Sequence, residues 1–345
     1  MSWKVYPISE FKNHQDCWRR LNQEGSGSPL LEPAFISPML HAFGSGNEVL
    51  VRYESNNILL AMAILSSDGL GRWTTFQPSQ APLGAWIHCA GADWSMLLST
   101  LIKKLPGYPL VLGVTQQDSD LVPRPQDHGT LKTLDYIQTA RISLQGDFDS
   151  YWKSRGKRLR QNMRTQRNRL ERDAVTTRLQ VSTAPEEVAQ AIMDYGIIES
   201  AGWKTKGGTA IHSENTQGKF YINMLEEFCQ QGAGRIYRYW YNDNIAAMDL
   251  GIEGNGSFIG LKTTYDKSLS NHTSPALLMR HDIVKQLFSD DQINRYEFYG
   301  KVRDWTTKWS DELRTMYHIN EYRWSSLSLL SDIMSKLTAT RNQGK

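Results

Sequence analysis

The chain has 345 residues, of which 40% are hydrophobic and 22% charged, with a formal net charge of +3. That is too long for one ordinary core and suits two domains of roughly 100–200 residues each. The composition is that of a soluble globular protein, the small net charge does not by itself define a partner, and three scattered cysteines (Cys17, Cys89, Cys229) argue against a disulfide scaffold.

In chain order, an extended stretch from Trp3 to Ile8 precedes a helical stretch around Cys17 to Asn22, a Gly/Ser loop, and a helix near Ser37 to Phe43. No signal-peptide pattern is visible near Met1. The longest apolar run, Ile58 to Leu65, is less than half of the roughly 20 residues a membrane span needs. A cytoplasmic location is therefore expected. Next comes a meander whose first hairpin carries the most informative pattern in the chain. The eleven residues Arg52 to Met62 reappear as Arg238 to Met248, with Arg, Tyr, Asn, Ala and Met identical and no gap. Each copy reads strand, Asn/Asp turn, strand. Two copies so far apart point to a duplicated domain, not a solenoid, whose period would be roughly 20–50 residues.

Pro82 to Ile87 reads as extended, and the spacing from Asp93 to Lys104 predicts an amphipathic helix. Strand-like segments follow at Leu110 to Val114 and Tyr136 to Leu144. His88 and Cys89 are neighbours in an extended segment and point to opposite faces, so they are not a nucleophile pair; all three cysteines are expected to be buried. Between Lys153 and Arg172 stand nine basic residues and one acid, Glu171. Trp152, Leu159, Met163 and Leu170 form an apolar helical stripe, and Lys153, Lys157, Arg160, Arg164 and Arg167 a cationic one beside it. The stripe reads either as a solvated face or as a contact for a polyanion: a phosphate-bearing ligand, RNA or an anionic membrane. The second half repeats the plan: helices at Pro185 to Ser200 and Lys219 to Gln230, a meander from Arg235 to Thr264, a helix from Ser274 to Phe288, a strand at Arg295 to Tyr299, then a C-terminal strand and helix. The expected boundaries are 1–150, a basic junction helix at 151–176, and 177–345.

Ser274 at the N-cap and Pro275 at the first helical position mark a helix start, which offers unpaired N–H groups and a positive dipole to a pyrophosphate. Asp249 lies in an otherwise apolar strand; buried, its pKa would rise into a range useful for a base, and at a sheet edge it would merely face water. No metal-binding, P-loop or Rossmann pattern is present in the sequence.

The three-strand meander followed by that helix start resembles the GNAT acyltransferase fold. The tandem pair resembles the Fem-type peptidyltransferases and the CelD-like acetyltransferases of exopolysaccharide biosynthesis. The matching segments are Tyr151-Trp152 with its basic helix, Glu199 to Lys204, Gly207 to Ala210, Tyr265-Asp266 with Ser274-Pro275, and Tyr299-Gly300 with Lys308-Trp309. The usual acyl-CoA glycine signature is missing, and Ser274-Pro275-Ala276 stands in its place.

The resemblance implies a mixed α/β protein of two tandem GNAT-like domains, each with a mostly antiparallel sheet flanked by helices. It implies an acyltransferase with acyl-CoA, foremost acetyl-CoA, as co-substrate and no metal. The acceptor would be an amine or hydroxyl of a saccharide, sugar-nucleotide or peptidyl precursor. Asp249 would be the base, Tyr265 the proton donor and Lys308 the oxyanion's partner. Ser274, Pro275 and Ala276 would hold the donor; Glu199, Trp203, Lys204, Trp86, Lys157, Arg160 and Arg164 would bind the acceptor. Two alternatives stand beside it: an aminoacyl-tRNA-dependent transferase whose basic helix holds tRNA, and a non-catalytic module docking on RNA or anionic lipid.

Overall fold

A computed structural model describes residues 2–200, 211–269 and 272–331. The strands are β1 (Ser2–Pro7), β2 (Val49–Ser55), β3 (Ile58–Ser67), β4 (Arg72–Thr75), β5 (Trp86–His88), β6 (Val111–Asp118), β7 (Leu131–Ser143), β8 (Thr177–Ser182), β9 (Gly234–Tyr241), β10 (Asn244–Gly254), β11 (Ser257–Tyr265), β12 (Arg295–Phe298) and β13 (Glu312–Tyr322). The helices are α1 (Phe11–Glu24), α2 (Pro33–Phe43), α3 (Trp94–Leu101), α4 (Phe148–Ser154), α5 (Lys157–Arg172), α6 (Val188–Ser200), α7 (Thr216–Gln230) and α8 (Pro275–Leu287). No described helix is long and apolar enough to cross a membrane.

Two compact units result. The first comprises Met1–Ile36, Phe43–Ile137 and Arg314–Lys345, and the second Ser37–Ala42 and Gln138–Leu313. The division differs from the expected one in two ways. The basic helix belongs to the second unit instead of standing as a junction, and the last strand returns to the first, where β13 pairs antiparallel with β6. Such a return is a non-local pairing that no local pattern announces.

In the first unit, β1 to β4 form an antiparallel meander, β4 pairs parallel with β6, and α3 lies in the crossover. Its core gathers Trp3, Tyr53, Trp86, Trp94 and Leu98. In the second unit, β8 to β11 are antiparallel and β11 pairs parallel with β12 after α8. Its core gathers Leu159, Met163, Tyr237, Phe258, Ile283 and Trp309.

The repeated eleven residues form the same hairpin twice. Arg52 pairs with Met62 and Tyr53 with Ala61, and Arg238 pairs with Met248 and Tyr239 with Ala247. Both turns have two residues, and Asn56 and Asn242 take positive φ of 51°. Asn tolerates that conformation, which matches the turn to the strand twist.

The basic segment is two helices, not one. Arg155 is extended (φ −70°, ψ 156°), so Trp152 and Lys153 end the short α4 and α5 starts afresh at Lys157. Leu159, Met163, Gln166 and Leu170 are its buried stripe. Of the cysteines, only Cys229 is buried; Cys17 and Cys89 are partly exposed.

Candidate active site

Two adjoining cavities lie in the second unit and share Ser274, Leu277 and Trp305. The larger, about 1500 Å³, is lined by the start of α5 (Gly156 to Leu159), by Asn162, and by Lys308. The smaller, about 480 Å³, is walled by β11 (Gly260 to Thr263, Tyr265), by α8 (Ala276, Arg280) and by the aromatic residues Tyr296, Phe298, Tyr299 and Trp305.

Both helices that open onto the larger cavity lack a side-chain cap. Gly156 caps α5 without one, and Ser274 caps α8 without its hydroxyl bonding a backbone N–H. Pro275 has no N–H to satisfy. The N–H groups of Lys157, Arg158 and Ala276 find no acceptor among the described residues. Ser274 donates its own N–H to Gln166 Oε1 at 2.6 Å, tying the start of α8 to the side of α5. The start of α5 with Lys157, Arg158 and Lys308 lines the larger cavity, which Ser274 at the start of α8 also borders, while Ala276 lines the adjoining smaller one; together they form the arrangement that suits phosphate.

Asp249, on β10, is fully buried, so the alternative of a water-facing edge is overturned. Thr263 Oγ1 donates to its Oδ1 at 3.1 Å and Tyr296 Oη to its Oδ2 at 3.4 Å. Burial pushes its carboxyl up to about 6, against the opposing pull of the Arg280 cation. Its two hydroxyl partners line the smaller cavity, and Asp249 itself stands behind them. Arg280 Nη2 donates to Thr263 Oγ1 at 3.2 Å, so Thr263 bridges cation and carboxylate.

The remaining candidates divide. Tyr265, 42% exposed, stands at the smaller cavity with Ser274 and Ala276, whereas the exposed Lys308 lines the larger one. The expected catalytic trio is thus spread over two cavities and a buried position, and Lys308 sits with the helix starts. Pro275 is buried and begins the helix. Of the three expected α5 cations, Lys157 lines the larger cavity. Arg160 and Arg164 are not among its walls, and Arg160 turns its Nε to the Arg155 carbonyl at 3.1 Å. The helix presents Arg158, Gln161, Asn162 and Thr165 instead. The buried stripe Leu159, Met163, Gln166 and Leu170 orients α5, and the flank beside it that carries Arg158, Gln161, Asn162 and Thr165 meets the cavity.

Two expected acceptor residues are corrected. Trp86 is 1% exposed in the core of the first unit, stacked on Trp94 at 5.3 Å and donating to His88 Nδ1 at 3.2 Å, so its ring has no face for a ligand. Burial lowers His88 to about 4 and keeps it neutral. Glu199, at the end of α6, is 4% exposed and accepts the Ile211 backbone N–H at 2.8 Å, so it is at least partly engaged within the fold. Trp203 and Lys204, with the Gly207 to Ala210 segment, lie outside the described residues.

Sequence reasoning missed Thr263, Tyr296, Gln166 and Arg280. For Arg280 a signal existed: it precedes Val284 and Leu287 by four and seven residues, a cation on the apolar stripe of α8.

Comparison with known proteins places a family match in the second unit. Residues 157–307 match the model of an acetyltransferase (GNAT) domain family, so the match begins at the first residue of α5 and ends beside Lys308. No curated protein matches the chain. Among solved structures, FemX is similar over 95% of this chain and 99% of its own, with 10% identity and a TM-score of 0.58. L-PGS from Bacillus licheniformis is similar over 93% and 96%, with 14% identity and a TM-score of 0.54. The C-terminal domain of a candidate lysylphosphatidylglycerol synthetase from Agrobacterium fabrum aligns over 96% of both chains, with 12% identity and a TM-score of 0.57. At such identities the likeness concerns the fold alone.

Proposed function

We propose that this chain is an acyltransferase that works in its second unit, moving an acyl group to an amine or hydroxyl acceptor. The observation that carries the reading is the pair of uncapped helix starts, α5 and α8, lining one cavity beside the hydroxyl-shielded Asp249. Those N–H groups, with Lys157 and Lys308, bind the phosphates of the donor, which we take to be an acyl-CoA and foremost acetyl-CoA. Lys308 then serves as a phosphate clamp and not as an oxyanion donor, because it lies among the helix starts.

The smaller cavity receives the acceptor. Thr263 takes the proton of the attacking nucleophile and passes its own to Asp249 along the 3.1 Å hydrogen bond. With its pKa pushed up to about 6, Asp249 is mostly ionised at pH 7 yet basic enough to accept that proton. Tyr265 at the cavity mouth protonates the leaving thiolate. Aromatic walls exclude water from the reacting carbonyl and strengthen each of these dipoles.

The test is free-thiol release from a panel of acyl-CoA thioesters with amino sugars and peptide amines as acceptors. Asp249→Asn should lower kcat by about 100-fold or more, the usual worth of a general base. Lys308→Met should raise the donor KM and leave kcat nearly unchanged, as a lost phosphate contact does. Undiminished turnover in both Asp249→Asn and Tyr265→Phe would overturn the assignment.

A second reading draws on the exposed cations of α5, including Arg158 and Arg164, which favour a larger polyanion: aminoacyl-tRNA as donor. In that case tRNA affinity should fall steeply with salt, with a log–log slope of about one per phosphate contact. Binding that ignores salt would exclude it.

A further inference from the structure

The sixteen residues that line the smaller cavity include two cations, Lys262 and Arg280, and no carboxylate. Arg280 is only 8% exposed, yet among the described residues it forms no ion pair. Its guanidinium lies 4.5 Å from the Trp305 ring centroid and 5.7 Å from that of Phe298, which fixes its plane. One of its nitrogens holds Thr263, while Nε is buried with no hydrogen-bond partner. Trp309, at 0% exposure, lines the same cavity and leaves its Nε1 buried and unpartnered as well. Buried donors in folded proteins are ordinarily satisfied, so two orphaned N–H groups on residues that wall one cavity call for an acceptor there.

Both groups donate and neither can accept, which selects a ligand group that only accepts hydrogen bonds. A planar guanidinium fixed against an aromatic ring matches the planar two-oxygen edge of a carboxylate, and a single N–H on the indole adds one further bond. We infer that the smaller cavity binds a carboxylate of the acceptor through Arg280 and Trp309, making the acceptor an acid-bearing amine or alcohol such as an amino acid or the C-terminus of a peptide. The inference rests on reading that cavity as the acceptor pocket.

Calorimetry on the full chain with benzoate, benzamide and phenyl phosphate separates the alternatives without any acyl donor. Benzoate should bind at least about tenfold more tightly than benzamide, since the neutral isostere leaves the guanidinium unpaired. Phenyl phosphate should bind more weakly than benzoate. Arg280→Gln should erase the preference for the acid, and Trp309→Phe should reduce benzoate affinity severalfold. If Arg280→Gln does not fold, Arg280→Lys keeps the charge but loses the fork, and most of the preference should disappear with it. Equal affinity of the wild type for benzoate and benzamide would overturn the inference, and tighter binding of phenyl phosphate would do so in favour of a phosphate site. Acid preference without thiol release would sink the acyltransferase reading alone. Thiol release on neutral amines without acid preference would sink the carboxylate site alone.

Discussion

The two units carry the same hairpin in the same register, and they differ where chemistry would occur. Val51 pairs with Ala63 in the first unit; at the equivalent rungs of the second, Tyr237 pairs with Asp249. Ala63 and Asp249 are both fully buried, so one position holds a methyl group in one unit and a carboxylate in the other. The crossover helices differ in the same sense. Asp93 caps α3 by accepting the Ser95 N–H at 2.9 Å and the Met96 N–H at 3.4 Å, whereas the start of α8 has no side-chain cap. Buried arginines repeat the contrast: Arg314 of the first unit grips Asp118 with two bonds of 2.7 and 2.8 Å, whereas among the described residues Arg280 of the second touches no carboxylate and reaches Asp249 only through Thr263. Both units keep buried side-chain atoms without a hydrogen-bond partner, Arg52 Nε in the first and Arg280 Nε in the second among them, but in the second two of these belong to residues that wall a cavity, Arg280 and Trp309. Unsatisfied groups of this kind cost stability and are kept where they serve binding or catalysis.

The largest expected effect comes from exchanging the core position. Ala63→Asp buries a carboxylate in the hydrophobic core of the first unit, and should destabilise the fold by about 3–5 kcal/mol in urea unfolding. A loss below about 1 kcal/mol would mean the first unit tolerates a carboxylate at that position, and the comparison would fail.

The reverse exchange is next in size and has a pH signature. The folded pKa of Asp249 is raised from 3.8 to about 6, so its favourable contribution is fully present below pH 3.8 and is lost as pH rises through about 6. At about 1.4 kcal/mol per unit, that decline is on the order of 3 kcal/mol. Asp249→Asn removes it. Denaturation series from pH 4 to pH 7 should show the decline in wild type and a flatter curve in the variant, which is the more stable protein at pH 7 and the inactive one. An identical pH dependence in both would place the titration elsewhere.

The helix caps sharpen the contrast at smaller scale. Asp93→Ala should cost about 1 kcal/mol, the usual worth of an N-cap side chain, while Ser274→Ala should stay within about 0.5 kcal/mol because its hydroxyl caps nothing. Equal losses in chemical denaturation would show that α8 is capped like α3.

What the sequence revealed follows from the range of the interactions concerned. The hairpins were legible because an Asn/Asp turn and its strands are set by adjacent residues, and the α8 start because Ser274-Pro275 is a local signal. Asp249 stood out as a carboxylate in an apolar strand, but only the sheet's neighbours decide that it is buried. Trp86 and Glu199 look alike on the page to ligand-binding residues; their burial is a property of packing. The buried stripe of α5 is legible from its spacing, but which neighbouring flank meets a cavity is set by packing, and the extended Arg155 that separates Trp152 and Lys153 from it carries no clear local signal. The return of β13 to the first unit, like the orphaned donors of Arg280 and Trp309, depends on contacts far apart in sequence.

The central claim is that the open start of α8 holds an anionic donor where the first unit's equivalent is closed by an acid. Ser274→Asp transplants that acid. An aspartate is as good an N-cap as serine, so the fold should persist. Thermal denaturation with CoA should show the wild type raised, by about 2.7 kcal/mol at 100 times the dissociation constant, and Ser274→Asp unmoved. A Ser274→Asp protein that CoA stabilises as well as it does the wild type would contradict the account.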